Sequence, residues 1–331
     1  MPDADRTAIP GDRLTAHAAG QPVVGAAFLD GTAAFALAEG EVLLVAGAAP
    51  RRVPVHDGGV LATATNGREL VTGGDDGKVS AVSAEGTVRV VATDERRRWI
   101  DQVAVAGDAV AWSAGKTASV RQRDGEPKSL DLPSSVGGIA FAPKGFRLAL
   151  AHYNGVSLWF PNAGAKPEFL EWHGSHLGAS FSPDGKFLVT AMQEPMLHGW
   201  RLADAKHMRM SGYSAKVRSL SWSADGKWLA TSGSEQLILW PFQGKDGPMG
   251  KQPRMLAPMQ ARVVAVAFHP ASEIVAVGYA DGLVILVRLA DGAEVAVRRP
   301  DGQAVTALVW SARGDRLAFG TEGGEAGIAR M

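Results

Sequence analysis

Residues 217–240 read VRSLSWSADGKWLATSGSEQLILW, and this stretch decides the fold. Apolar and polar residues alternate on both sides of the Asp225-Gly226 pair, and a third apolar run ends at Trp240. Alternation at a period of two is typical of β-strands with one buried face. Asp-Gly is a preferred hairpin turn because both residues tolerate positive φ. The stretch therefore predicts three consecutive antiparallel strands.

The same unit recurs along the chain. Clear copies occupy residues 136–159, 176–200 and 263–287, and weaker copies begin at Val23, Val60, Ile100 and Val305. The copies align on the residue that ends each first strand, namely Phe28, Ala64, Val105, Phe141, Phe181, Trp222, Phe268 and Trp310. These positions lie 36 to 46 residues apart. A period of roughly 40–45 residues with four short strands is that of a propeller blade, so we predict an all-β propeller of four-stranded antiparallel blades.

The number of first strands predicts eight blades, with seven as the alternative if one weak copy near residues 60–130 is not a separate blade. The last copy stops after its third strand, whereas Arg13 to His17 precedes the first copy and has no blade of its own. Pairing these two segments would close the ring and remove exposed strand edges. We therefore expect a flexible segment over residues 1–12 and a single propeller over residues 13–331.

The blocks resemble WD-repeat proteins. Residues 181–186 and 222–227 read FSPDGK and WSADGK, like the first hairpin of that family, and Trp159, Trp200 and Trp240 stand where its third strand ends in Trp. The resemblance covers nearly the whole chain from about residue 13. It implies a β-propeller that binds other proteins without catalysing a reaction.

The chain departs from the family in its buried polar residues. The family often buries a tetrad of Trp, Ser or Thr, His and Asp within a blade. The second copy has His56, Thr72 and Asp76, but Val82 takes the position of the Trp. Tyr213 replaces the His in the copy that contains Trp240. No copy has all four residues, so we expect packing between blades to supply most of the stability.

Composition limits the classes of function. The 34 Lys and Arg balance the 34 Asp and Glu, so no global charge attracts nucleic acid or an anionic membrane. There are 0 Cys, which excludes disulfides, thiolate metal sites and cysteine nucleophiles. The first residues contain no secretory signal, and no apolar run reaches the ~18 residues that span a bilayer. We predict a monomeric cytoplasmic protein without a cofactor.

Candidate binding residues collect in one set of loops. In a propeller, the links between blades and the turns between second and third strands share one face, where such folds usually carry function. These loops are rich in residue types that are enriched at protein interfaces. We predict partner binding by Arg96, Arg97, Arg98, Trp99, Tyr153, Trp172, Met192, Met196, Tyr213 and Tyr279. Alternatively, Tyr213 fills the family's His position and Trp172 packs beneath its own loop.

Other chemistries have weaker support in the sequence. His152, His173, His176 and Glu194 belong to neighbouring loops and are candidate zinc ligands, although no helix fixes their geometry. Residues 96–99 read RRRW, a possible RNA contact, but acidic residues at 94, 95 and 101 favour a solvated loop or an acidic partner. No nucleophile elbow or phosphate loop is present. The leading hypothesis is a non-catalytic protein-binding scaffold; a metal-linked accessory protein and a hydrolase-like propeller enzyme are the alternatives.

Overall fold

The computed structural model describes residues 7–47 and 49–331, which form a ring of eight antiparallel sheets. The predicted propeller with eight blades is confirmed. Among the described residues, the only helix is the single 3-10 turn Gly11–Arg13. No helix in this part of the chain is long and apolar enough to cross a membrane.

Each blade runs outward from the ring axis through strands a, b, c and d. Blade 1 consists of Val23–Leu29, Thr32–Leu37, Glu41–Val45 and Arg51–Pro54. Blade 2 consists of Val60–Thr65, Glu69–Gly74, Lys78–Ser83 and Val88–Thr93. Blade 3 consists of Ile100–Ala106, Ala109–Ala114, Thr117–Gln122 and Lys128–Asp131. Blade 4 has Gly138–Phe141, the continuous strand Leu148–Trp159, and Glu168–Ser175. Blade 5 consists of Ser180–Phe181, Phe187–Ala191, Leu197–Arg201 and Lys206–Met210. Blade 6 consists of Leu220–Trp222, Trp228–Thr231, Leu237–Pro241 and Arg254–Leu256. Blade 7 has Val263–Phe268, Ile274–Tyr279, Val284–Arg288 and Glu294–Arg298, and blade 8 has Val305–Trp310, Arg316–Thr321 and Glu325–Arg330.

The N-terminal part of the chain closes the ring as predicted. Leu14–Ala18 pairs antiparallel with Glu325–Arg330 and supplies strand d of blade 8. Just before it, Thr7–Ala8 pairs in parallel with strand d of blade 7. Residues 1–6 lie outside the described residues. The expected flexibility of residues 1–12 therefore stays a prediction. Within this segment, residues 7–8 pair with blade 7.

The core consists of apolar clusters between neighbouring blades, because alternate side chains of each strand point toward the next blade. Between blades 5 and 6, Phe187, Leu229 and Trp240 share one buried cluster. Polar pairs occupy defined places within this packing: His56 hydrogen-bonds with Asp76 Oδ1 at 3.0 Å and Thr72 Oγ1 at 2.8 Å. Blade 2 therefore contains the incomplete tetrad that its sequence indicates.

Candidate partner-binding face

The antiparallel order of the strands places the d–a links and b–c turns on one face of the ring, which we call the loop face. The a–b and c–d turns form the opposite face, the turn face. The loop face combines a rigid scaffold of paired strands with connections of variable sequence, which is a common arrangement in binding proteins.

The link between blades 2 and 3 is organised around one carboxylate. Asp94 accepts hydrogen bonds from the backbone N–H groups of Arg96 and Arg98, both at 3.0 Å. Its Oδ2 also accepts one from Arg98 Nη2 at 2.7 Å, and this Arg98 guanidinium is the main reason that the pKa of Asp94 is lowered. Arg98 is therefore held at the base of the link. Trp99, in contrast, is 65% exposed.

Two further arginines complete this exposed patch. Arg96 and Arg97 are exposed, and neither forms an ion pair with another described residue. Arg97 has a φ of 52°, in the left-handed region, so the chain turns sharply at this point. The turn directs two cationic side chains and one indole ring into solvent from the same short link.

Tyr153 occupies a second rigid corner, where the long strand of blade 4 bends between its b and c parts. Its backbone N–H donates to Ser134 Oγ at 3.0 Å, and Asn154 Oδ1 accepts from the backbone N–H of Gly174 at 3.2 Å. The corner is thus tied to the link before blade 4 and to strand d of the same blade. The Tyr153 side chain remains 58% exposed.

Three of the predicted binding residues have side chains that lie in the core and not on the surface of the loop face. Tyr279 is 0% exposed and donates its hydroxyl hydrogen to the carbonyl oxygen of Ala257 at 2.8 Å. Met192 is also buried. Tyr213 is buried where Trp240 Nε1 donates to its hydroxyl oxygen at 2.7 Å, so it takes the family's His position, as the alternative interpretation had it.

Trp172 and Met196 are only half-buried. Trp172 lies within strand d of blade 4 and not in the following link, because that strand extends to Ser175. Its ring stacks on the His198 ring with centroids 4.0 Å apart. Trp172 therefore covers the seam between blades 4 and 5 and does not pack beneath a loop of its own.

The candidate zinc ligands do not converge. His152 Nε2 hydrogen-bonds with Ser157 Oγ at 3.0 Å, and its Nδ1 lies 2.9 Å from its neighbour's carbonyl oxygen. His176 uses both nitrogens, one with Thr190 Oγ1 at 2.8 Å and one with the Trp172 carbonyl oxygen at 3.0 Å. Within residues 7–47 and 49–331, no group of three or more potential metal ligands occurs, so His173 and Glu194 have no set to join.

Residues at the mouth of the central channel on the loop face were not among the predicted binding residues. Val24 and Leu61, each the second residue of its first strand, and Leu177, which precedes strand a of blade 5, are 39%, 41% and 42% exposed. A cavity of about 710 Å³ opens beside Val24, and its cationic lining residues are Lys216, Arg218 and Arg262. Comparing the second residue of each aligned copy would have identified this ring, since its members break the small apolar pattern of their strands.

One exposed residue on strand a of blade 3 carries a carboxyl group whose pKa is raised. Burial raises the pKa of Asp101, while Ser113 Oγ donates to its Oδ1 at 3.1 Å. Asp101 lies on blade 3, across the ring from the cationic residues of blades 6 and 7. The mouth therefore has exposed apolar residues on blades 1, 2 and 5 and cationic residues on blades 6 and 7.

Comparisons with known proteins agree with this geometry. The sequence model of the family described as "WD domain, G-beta repeat" matches residues 206–240, from strand d of blade 5 through strand c of blade 6. No curated protein matches the chain. The crystal structure of the computationally designed protein Ika8 superimposes with a TM-score of 0.76 at 19% sequence identity, covering 95% of this chain and 98% of Ika8. The chain is therefore an eight-bladed β-propeller in which residues 206–240 are similar to a WD repeat.

Proposed function

We propose that this propeller is a non-catalytic scaffold that docks a partner protein on its loop face, with Trp99 and Tyr153 as anchors. The exposure of these two rings supports the proposal most directly. At 65% and 58% they are the most exposed large hydrophobic residues among those described, and both sit on the same face. Exposed aromatic rings on a rigid scaffold are suited to act as anchors, because Trp and Tyr are enriched among the residues that supply most of the binding energy at protein interfaces.

The surrounding side chains indicate the chemistry of the partner. Arg96 and Arg97 flank Trp99, and the cationic residues of the channel mouth lie on the same face. A complementary surface would present apolar side chains to the two rings and carboxylates to the arginines. The partner in this proposal is accordingly a protein with an acidic, partly apolar surface. The proposal includes action as a monomer in the cytoplasm, which analytical ultracentrifugation and cell fractionation would test.

The direct test compares two triple variants with the wild type in affinity capture from native lysate. The face variant is Arg97→Glu/Trp99→Ala/Tyr153→Ala. The control is Arg288→Glu/Phe160→Ala/Met255→Ala, which removes exposed residues of the same kinds from outside the loop face. We expect one protein to be captured stoichiometrically by wild type and control and to be lost from the face variant.

The captured protein is then purified and titrated against all three chains. Truncating an interface hot spot costs about 2 kcal/mol or more, so the face variant should bind at least about thirty-fold more weakly. Thermal melts should agree among the three chains, because every substituted side chain is exposed. If no captured protein depends on the face residues, the proposed docking surface is wrong.

A further inference from the structure

A second cavity lies on the turn face, at the seam between blades 2 and 3. It has a volume of about 410 Å³ and is bordered by the a–b turns of both blades. Asn66 Nδ2 donates to the carbonyl oxygen of Gly107 at 3.0 Å and so links the two turns. The charged lining residues are Arg68, Arg89, Arg121 and Arg123 together with Glu69, Asp108 and Asp124.

Three of the four arginines have carboxylate partners. Arg89 Nη2 donates to both oxygens of Glu69, at 2.9 and 3.2 Å. Asp108 is shared by Arg68 Nη2 at 3.0 Å and Arg123 Nε at 3.2 Å. The four arginines and three carboxylates of the lining leave a single net positive charge in the cavity.

Arg121 is the exception, since it has no ion-pair partner among the described residues. It lies on strand c of blade 3, is half-buried, and donates from Nη1 to the carbonyl oxygen of Val91 across the seam. Its Nε is buried and has no hydrogen-bond partner. A guanidinium group stays protonated in proteins, so the fold holds a partly desolvated cation without a counter-charge.

We propose that this cavity binds a phosphate group through Arg121, with Arg68 and Arg123 closing on it from the rim. A phosphate offers several anionic oxygens, and it can accept from guanidinium groups that approach from different directions. The side chains of Arg68 and Arg123 are 63% and 78% exposed, so they can reorient toward a ligand. This site is on the opposite face from Trp99 and Tyr153, and it stands or falls independently of the docking proposal.

The test measures binding of inorganic pyrophosphate to the full chain by isothermal titration calorimetry at constant ionic strength. We expect Arg121→Gln to weaken binding about ten-fold or more. Arg288→Gln is the matched control, because Arg288 is an exposed turn-face arginine paired with Asp291 on blade 7. The control should bind within two-fold of wild type. Equal weakening by both variants would mean that only general charge is being measured, and would overturn the site.

Two variants keep the test decisive if Arg121→Gln fails to fold. Arg123→Gln changes a mostly exposed side chain and should weaken binding several-fold without changing the melting temperature. Asp124→Asn should act in the opposite direction and tighten binding, because it removes an exposed carboxylate that lines the cavity and repels the ligand. An unchanged affinity in both variants contradicts the proposal.

A second titration distinguishes the source of the phosphate. One peptide carries a single phosphoserine, and its unphosphorylated twin serves as the blank. Tighter binding of the phosphopeptide than of pyrophosphate identifies a phosphorylated side chain, and the reverse order identifies a free phosphate compound. If neither pyrophosphate nor phosphopeptide binds more tightly than the blank, the cavity is not a phosphate site.

Discussion

Lowering the pH from 7 to 5 should destabilise this propeller at the seam between blades 4 and 5, where His198 is buried. The ring is 0% exposed, stacks on Trp172 at 4.0 Å and lies beside His207 at 5.4 Å, and neither ring nitrogen has a hydrogen-bond partner. Burial, reinforced by the neighbouring His176, lowers the pKa of His198 to about 3. The folded protein therefore keeps this imidazole neutral at pH 5.

The magnitude follows from the difference in proton uptake. The pKa of an unfolded histidine is about 6.5, so the unfolded chain takes up a proton below that pH and the folded chain does not. The stabilisation that results from keeping His198 neutral in the folded state is fully present above about pH 6.5 and is lost progressively as the pH falls. Between pH 7 and pH 5 the loss is about 2 kcal/mol for this one residue. Burial also lowers the pKa values of His152 and His176, which adds losses of the same sign.

The substitution His198→Phe isolates the effect. Phenylalanine can keep the stack on Trp172, and no hydrogen bond is lost because the imidazole nitrogens have no partners. The variant should be at least as stable as wild type at pH 7, and should lose about 2 kcal/mol less between pH 7 and pH 5. His173→Gln is the control, since His173 is exposed beside the same seam.

The assay is urea unfolding followed by tryptophan fluorescence at pH 5, 6 and 7 and constant ionic strength. Hydrogen exchange of strand c of blade 5 would locate the loss at the seam. If wild type and His198→Phe lose the same free energy of unfolding between pH 7 and pH 5, then His198 takes up its proton in the folded state. The reasoning from burial would then be refuted.

Two further predictions concern stability. Trp240→Ala should lower the free energy of unfolding by about 3–5 kcal/mol, because it empties a buried site between blades. Trp99→Ala, measured in the same urea unfolding experiment, should change the free energy of unfolding by less than about 0.5 kcal/mol. Similar losses in the two variants would show that the strand register assigned to blade 6 is wrong. Arg298→Met should lower the free energy of unfolding by about 2–3 kcal/mol. This is somewhat less than the loss expected for breaking a fully buried ion pair, because the partners Asp301 and Glu325 are partly hydrated. A thermal melt unchanged by Arg298→Met would show that this ion-pair network does not stabilise the junction of blades 7 and 8.

The fold could be predicted from the sequence because the blade pattern is local and repeated. The first strands of blades 4 to 8 end at the predicted residues, and those of blades 1 to 3 end one residue later, at Leu29, Thr65 and Ala106. The burial of Tyr279 was also within reach, since it continues the inward alternation of Val275 and Val277 along strand b of blade 7. The error came from treating a strand-ending residue as part of the turn.

The candidate sites were less predictable, because they depend on pairs of side chains that the sequence does not connect. Whether an arginine in this chain is available depends on which carboxylate reaches it. Asp94 binds Arg98 but leaves Arg97, only one residue away, exposed to solvent. A run of three arginines therefore divides into one structural residue and two binding candidates, and only the folded link shows which is which.

A chain of zero net charge can contain a cavity with an unpaired arginine. Balanced totals, 34 basic and 34 acidic residues, suppress long-range attraction but do not require each charge to have a neighbour. Arg121 is fixed by strand pairing in blade 3 and reaches the backbone of blade 2, in a place where the nearest acidic residues are already engaged or exposed. Strand geometry, which holds each side chain to its blade, thus separates an arginine from the carboxylates that balance it in the composition. Anion-binding sites of this kind are found by looking for half-buried charged side chains without ion-pair partners. The net charge of the chain does not indicate where they are.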